Sequence, residues 1–345
     1  MQTAPFKRMP RLQPFWKPLK QGLWLRFAEP CFSRLQKNNI PLNFPPSMGT
    51  NIREIKGRIK AVRNIQRITR TMQLIATARF QAMQKKASEA KAYTRRVGEV
   101  VGDVATALAE SGAGSSHPLL TAPAKAAGRH LVLIVTSNRG LCGGYNGRVL
   151  NLARQTMKGL KGSVVVEVVG RKGIAWCKFN HMEVAQAHTE LGDAPKYADV
   201  AAIAQSYIES FEKGQYDSIQ VVYTKFETMS RQPATAIQLL PLQPPKAAKV
   251  AGVAAEKKSN LDYEFSPEPA VLLAELLPVT VKSTLFQCFN ESVVSEQLAR
   301  MVAMKSATDA AKKMGKSLKR DFNRARQASI TTELSEIIGG AAALE

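Results

Sequence analysis

The residues best placed to do chemistry lie between Thr136 and Asn146 (TSNRGLCGGYN), a Gly-rich turn between an apolar run and a helical stretch. A strand-to-helix turn is where nucleotide folds set phosphates against the N–H groups of a helix N-terminus. Arg139, Gly140, Gly143 and Gly144 would line it. Yet the segment is neither GxGxxG nor a Walker A: no Gly-Lys-Ser/Thr follows, so no lysine can reach the β- and γ-phosphates. A structural tight turn is the favoured reading, and no cofactor is expected. Cys177, His181 and His188 are of metal-ligand type, but no second cluster completes a four-ligand shell, and no metal is expected. His117 and His130 flank a loop and suggest no chemistry. No two carboxylates sit in surroundings that would part an acid from a base. The four cysteines, Cys31, Cys142, Cys177 and Cys288, contain no CxxC pair, which argues against a zinc ribbon or a disulfide framework and fits a reducing compartment. The chain shows no catalytic group.

The elements that would hold these residues are of two kinds. Residues 129–245 alternate apolar runs (His130 to Thr136, Ser163 to Gly170, Ser218 to Thr224) with helical stretches, one near Asp199 to Glu212. Buried strands alternating with helices predict a small parallel, Rossmann-like α/β domain, with Ala236 to Leu242 as an edge strand.

Around it lie two long helical segments. From Asn51 to Glu110 there is no proline, and Ile52, Ile55, Ile59, Val62, Ile65, Ile68, Met72 and Ile75 recur at steps of three and four with a slip in the middle. Such a segment would reach about 90 Å, far more than a globular core covers, so it needs a partner along its length. After Pro278 some sixty residues lack proline, and Leu298, Met301, Leu318, Phe322, Ile330, Leu334 and Ile337 form a broken stripe. The expected fold is therefore α+β: a long antiparallel coiled coil of helices 48–118 and 278–345, plus the α/β domain, with 246–277 as a linker. Residues 1–47 hold eight Lys/Arg, one acid and eight prolines. They read either as a disordered basic extension or as a stretch upstream of a true start at Met48.

The 49 Lys+Arg exceed the 27 Asp+Glu by 22, an excess spread through the chain, which predicts acidic partners. No apolar run approaches the length of a membrane span, so no direct membrane insertion is expected. A basic coiled-coil nucleic-acid-binding protein is the alternative reading, though no base-reading motif occurs.

Two helical segments are more specific: Ile68 to Arg79 (ITRTMQLIATAR) and Asn323 to Ile337 (NRARQASITTELSEI). Together with the loop TSNRGLCGGYN, in this order, they resemble the γ subunits of F-type ATP synthases over about residues 50–345. Asn138 stands where that family more often has Asp. The resemblance implies a central shaft with no catalytic site of its own, standing in a ring of α and β subunits, its α/β domain at the foot with the ε (or δ) subunit on the membrane c-ring, and no nucleic-acid partner. It implies β-subunit contacts at Arg326, Gln327, Thr331 and Glu333, with Arg70 and Met72 facing the same loops from the first helix. Ile337, Ile338 and Leu344 would form an apolar bearing tip. The place implied is the cytoplasmic face of a bacterial inner membrane, or else the matrix side of the mitochondrial one.

Overall fold

The computed structural model describes residues 52–110, 118–121, 128–191, 195–242 and 268–344. The extension 1–47 and most of the expected linker lie outside these residues. Helix α1 runs from Ile52 to Glu110 and helix α5 from Pro269 to Ala342. Between them are β1 (Arg129–Val135), α2 (Tyr145–Gly159), β2 (Ser163–Val169), α3 (Arg171–Phe179), β3 (Gln186–His188), α4 (Tyr197–Glu212), β4 (Ser218–Thr224) and β5 (Ala234–Leu240).

α5 starts nine residues before the expected Pro278 and passes through it. A proline inside a helix costs about 3 kcal/mol. Leu273, Leu277, Val281 and Leu285, all buried against the sheet, outweigh that at about 1.5–3 kcal/mol each. Pro269 in the first turn is well suited to start the helix. α5 also holds a stretch long and apolar enough, by length and composition, to cross a membrane, which corrects the expectation that no apolar run approaches that length; a third of the stretch is buried within the protein.

Along α1 the covered positions are Ile55, Ile59, Val62, Gln66, Thr69, Gln73, Ala76, Phe80, Met83 and Ala87, at steps that alternate between four and three. This corrects the expected stripe with a slip: the seam keeps one heptad period and takes in Gln66, Thr69 and Gln73. Ile65, Ile68 and Ile75 are left about half exposed. The two long helices are antiparallel. A methyl group at Gly315 would lie 3.8 Å from Val62 Cγ1, the hydroxyls of Thr69 and Thr308 are 2.8 Å apart, and Thr94 Oγ1 lies 3.4 Å from Ser283 O. Each advance along α1 from Val62 to Thr69 to Thr94 is thus matched by an equal retreat along α5.

The sheet has the order β3-β2-β1-β4-β5, parallel except for β5, which pairs antiparallel with β4. Helices α2 and α3 cover the face of Val132, Ile134, Val166, Val168 and Val222. Helix α4, the first half of α5 and the end of α1 cover the other, where Leu131, Leu133, Ile219 and Val221 point. α5 is therefore part of the α/β core as well as a long helix. Strand β3 has no apolar run and is short and mostly exposed, so nothing in its residues announced it.

Candidate functional site

Strand β1 hands over to the Gly-rich loop through bonds that use up the loop's own polar groups. Thr136 N and Oγ1 both donate to Val169 O, at 2.9 and 2.7 Å, and Thr136 Oγ1 accepts from Gly173 N at 2.9 Å. Ser137 N donates to Asn146 Oδ1 at 3.0 Å, and Ser137 Oγ donates to Arg139 O at 2.7 Å. Asn138 accepts from Arg171 N and donates through Nδ2 to Leu191 O, each at 3.2 Å. An aspartate could not make the second bond, so Asn at this position adds a tie to the loop before α4. Of the loop glycines, Gly143 has φ +56, whereas Gly144 has an ordinary φ and open space where a Cβ would stand.

The loop is docked on α5. Arg300 Nη2 donates to Arg139 O at 3.3 Å, and a methyl group at Gly143 would lie 3.7 Å from Ala303 Cβ. Open α/β sheets bind ligands beyond the carboxyl ends of their strands where the strand order reverses, here between β1 and β4. α5 crosses that place. Ser295 Oγ donates to Thr224 O and Phe226 N to Glu291 Oε2, both at 3.4 Å. Tyr145 is buried there with Glu296, Ser292 and Thr224 around it, and burial, followed by the charge of Glu296, pushes its phenol up. A cavity of about 30 Å³ remains among Val135, Thr136, Asn138, Tyr145, Phe289 and Glu296, enough for one water. Glu296 pairs with Arg300 at 2.7 Å; burial raises its carboxyl, and Arg300 opposes the rise. In this fold the crevice serves as a latch between sheet and helix.

The residues of ligand type are not assembled into a metal site. Cys177 is packed in the apolar layer under α2 and α3, and burial raises its thiol. His181 is exposed, and His188 Nε2 lies 2.9 Å from Glu167 Oε2, which also accepts from Tyr207 at 2.6 Å. Among the described residues no group of three such side chains could hold a metal ion.

The far end of α5 is bare. Arg326, Gln327, Thr331 and Glu333 are exposed; Thr331 Oγ1 donates to Gln327 O at 2.9 Å and Ser329 Oγ to Glu333 Oε1 at 3.0 Å. Ile330 and Leu334 do not form an inward stripe: they are 49% and 54% exposed, and Phe322 is the last half-buried large side chain. The register agrees with this, because Ile55 of α1 falls opposite Phe322. Ile337, Ile338 and Leu344 are more exposed still, at 67%, 67% and 91%. Arg70 is exposed and Met72 half-buried, but they do not join this group. The register puts Arg70 opposite Ala307, nineteen residues or about 30 Å down the helix from Arg326.

One feature of the surface was missed in the sequence. From Lys56 to Arg70 six exposed Lys/Arg stand with no acid among them, and from Lys312 to Arg326 seven stand against Asp321. The antiparallel register folds these two distant stretches into one basic collar just below the bare end. Only the pairing of the helices could have revealed it.

The ATP synthase family matches residues 51–344. The chain is 42% identical over 298 residues to the ATP synthase gamma chain of Rhodopirellula baltica, covering 86% of this chain and 99% of that one. To the ATP synthase gamma chain of Desulfitobacterium hafniense it is 38% identical over 294 residues, covering 85% and 99%. This chain belongs to the ATP synthase gamma family. The Euglena gracilis mitochondrial ATP synthase (OSCP/F1/c-ring) contains a chain of similar fold, with a TM-score of 0.56 at 17% identity over 85% of this chain and 94% of that one. The family match of this gamma chain begins one residue before α1, so it leaves out residues 1–47. The nucleic-acid reading of its basic surface finds no support among these relatives.

Proposed function

We propose that this gamma chain passes torque through the bare end of α5 while its α/β foot holds the membrane rotor. It is a subunit of F-type ATP synthase and part of the central stalk, in a complex associated with a membrane. The observation that carries the mechanism is the unpartnered helix end above a basic collar. A helix that leaves its partner with every side chain from Ile330 to Leu344 exposed must find cover in another protein.

Each part of the shaft has its own task on this reading. The paired helices form a left-handed coiled coil, as the heptad seam of α1 supports, and so resist twisting over their length. Arg326, Gln327, Thr331 and Glu333 make directional, charge-assisted contacts with the loops of β subunits in the α3β3 ring. Arg70 and Met72 meet the ring lower down, where the collar attracts acidic loops. Ile337, Ile338 and Leu344 turn in an apolar bearing, which has no hydrogen bonds to break at each step. The Rossmann-like foot takes the ε (or δ) subunit and the c-ring; Arg139 and Gly143 fasten it to α5, and Gly140 and Gly144 belong to the same loop. The chain performs no nucleotide chemistry itself, a reading supported by the α5 residues that fill the switch-point crevice. The bacterial gamma chains among its relatives support a place on the cytoplasmic face of a bacterial inner membrane.

The test is Arg326→Ala and Gln327→Ala in a complex reconstituted with α and β subunits and the membrane sector. The melting temperature of the chain should hold, because exposed substitutions cost within about 0.5 kcal/mol. ATPase and proton pumping should both fall, since a charge-assisted contact contributes roughly 1.5–3 kcal/mol. Normal pumping by both variants would remove these residues from the mechanism.

A further inference from the structure

Three buried hydroxyls gather where α5 crosses the sheet, and none has a hydrogen-bond partner among the described residues. They are Tyr145 Oη at the start of α2, Thr224 Oγ1 at the end of β4 and Ser292 Oγ on α5. Each of these residues is no more than 1% exposed. Buried polar groups of a folded chain are nearly always bonded, to protein or to water. Ser292 has a simpler choice and does not take it. A hydroxyl inside a helix can donate back to the carbonyl four residues earlier, as Thr280 and Ser283 of the same helix do at 2.8 and 2.7 Å, while Ser295 donates to Thr224 O. Ser292 instead lines the cavity of about 30 Å³, together with Tyr145, Thr136 and Glu296. Burial, and after it the charge of Glu296, keeps the phenol of Tyr145 protonated, so it has a proton to give. The hydroxyls of Ser292 and Thr224 lie near enough to act on that phenol, yet neither completes a hydrogen bond with it.

We propose that this cavity is a binding site for one water molecule, which accepts from Tyr145 Oη and shares a hydrogen bond with Ser292 Oγ, with Glu296 as its third polar neighbour. The volume suits it, since a water needs roughly 10–15 Å³ of such space, and a buried water takes about two to four polar partners. Once the phenol's proton is given to the water, its lone pairs are left for the Thr224 hydroxyl. A cation fits less well. Glu296 is already paired with Arg300 at 2.7 Å, and hydroxyls alone repay little of what an ion loses with its hydration shell. So held, the water joins the start of α2 to α5 beside the carboxyl end of β1, where the α/β unit is fastened to the long helix. It is a structural part of that joint, and the proposal does not rest on the torque reading.

The experiment is a crystal structure of the full chain at a resolution that shows ordered water, set beside thermal unfolding of Tyr145→Phe, Ser292→Ala and the double variant. The expected density is a single peak within hydrogen-bond distance of both Tyr145 Oη and Ser292 Oγ, absent from Ser292→Ala. Each single change should lower Tm by a few degrees. The double should lower it no further than the larger single, because the water leaves with its first partner. A direct bond between the two hydroxyls with no peak overturns the proposal, as do a peak that persists in Ser292→Ala and melting losses that add. If Tyr145→Phe does not fold, the density in wild type and Ser292→Ala decides alone. Anomalous scattering at the peak after sodium is exchanged for rubidium would make the site a cation site and the proposal wrong.

Discussion

The hydroxyls of Thr69 and Thr308 share a hydrogen bond of 2.8 Å across the two long helices, at buried positions of the seam. Thr308 also lies 2.8 Å from Met304 O and Thr69 lies 3.1 Å from Gln66 O, so both hydroxyls have a second partner on their own helix. A polar pair of this kind favours one register, because sliding either helix by a turn sets the Thr69 hydroxyl against buried Met304 or Ala311.

A double-mutant cycle with Thr69→Val and Thr308→Val should therefore return a coupling of about 0.5–1.5 kcal/mol. Oxidation of a Val62→Cys, Gly315→Cys variant should cross-link α1 to α5 within one chain, and Ile68→Cys with Gly315→Cys should not. Equal cross-linking of both pairs would mean that the helices slide.

Two glycines after β2 should be far less tolerant than those of the Gly-rich loop. Gly170 has φ +93, and a Cβ there would lie 2.3 Å from Thr136 O; at Gly173 it would lie 2.5 Å from Val168 Cγ1. Gly170→Ala and Gly173→Ala should each cost more than about 2 kcal/mol in urea unfolding. Gly144→Ala should change little, since nothing stands in its way. Comparable losses at all three positions would contradict the packing described.

What the sequence made legible, and what it hid, follows from these same residues. The strands Ser163–Val169 and Ser218–Thr224 were readable because continuous apolar runs signal strands buried on both faces. The length of α1 was readable from its lack of proline, but its seam was not. Ile65, Ile68 and Ile75 outrank Gln66, Thr69 and Gln73 in hydrophobicity, and only the partner helix, with Thr308 waiting at the right height, favours the polar set. Pro278 marked a false start for the same reason, since the sheet that holds Leu273 and Leu277 lies far away in the chain. The Gly-rich loop was legible as a turn between a strand and a helix, yet its contact with Arg300 was invisible.

Glu296 provides a pH test of the latch. Burial raises its carboxyl above the ordinary range, so the native state holds that proton more tightly than the unfolded chain. Its contribution to stability is then fully present below the ordinary carboxylate value and is lost as pH rises through the raised one. As pH rises above the ordinary carboxylate range, wild type should lose stability relative to Glu296→Gln. The opposite slope would mean that Arg300 governs the site.

Burial also raises the thiols of Cys177 and Cys288. Both should resist iodoacetamide in the native chain at neutral pH and react promptly in urea, as read by mass analysis of the labelled peptides. Rapid native labelling of Cys288 would show that α5 leaves the sheet readily.

The shaft reading is tested most directly by watching the chain turn. Lys161→Cys, on the foot, allows a bead to be attached to the chain assembled with immobilised α and β subunits. On addition of ATP the bead should rotate in one direction, and a cross-link from Ile338→Cys to the surrounding ring should stop rotation only if the tip is a fixed contact rather than a bearing about which the rest of α5 can turn. ATP hydrolysis at the normal rate with a stationary bead on an intact, uncross-linked chain would contradict the account.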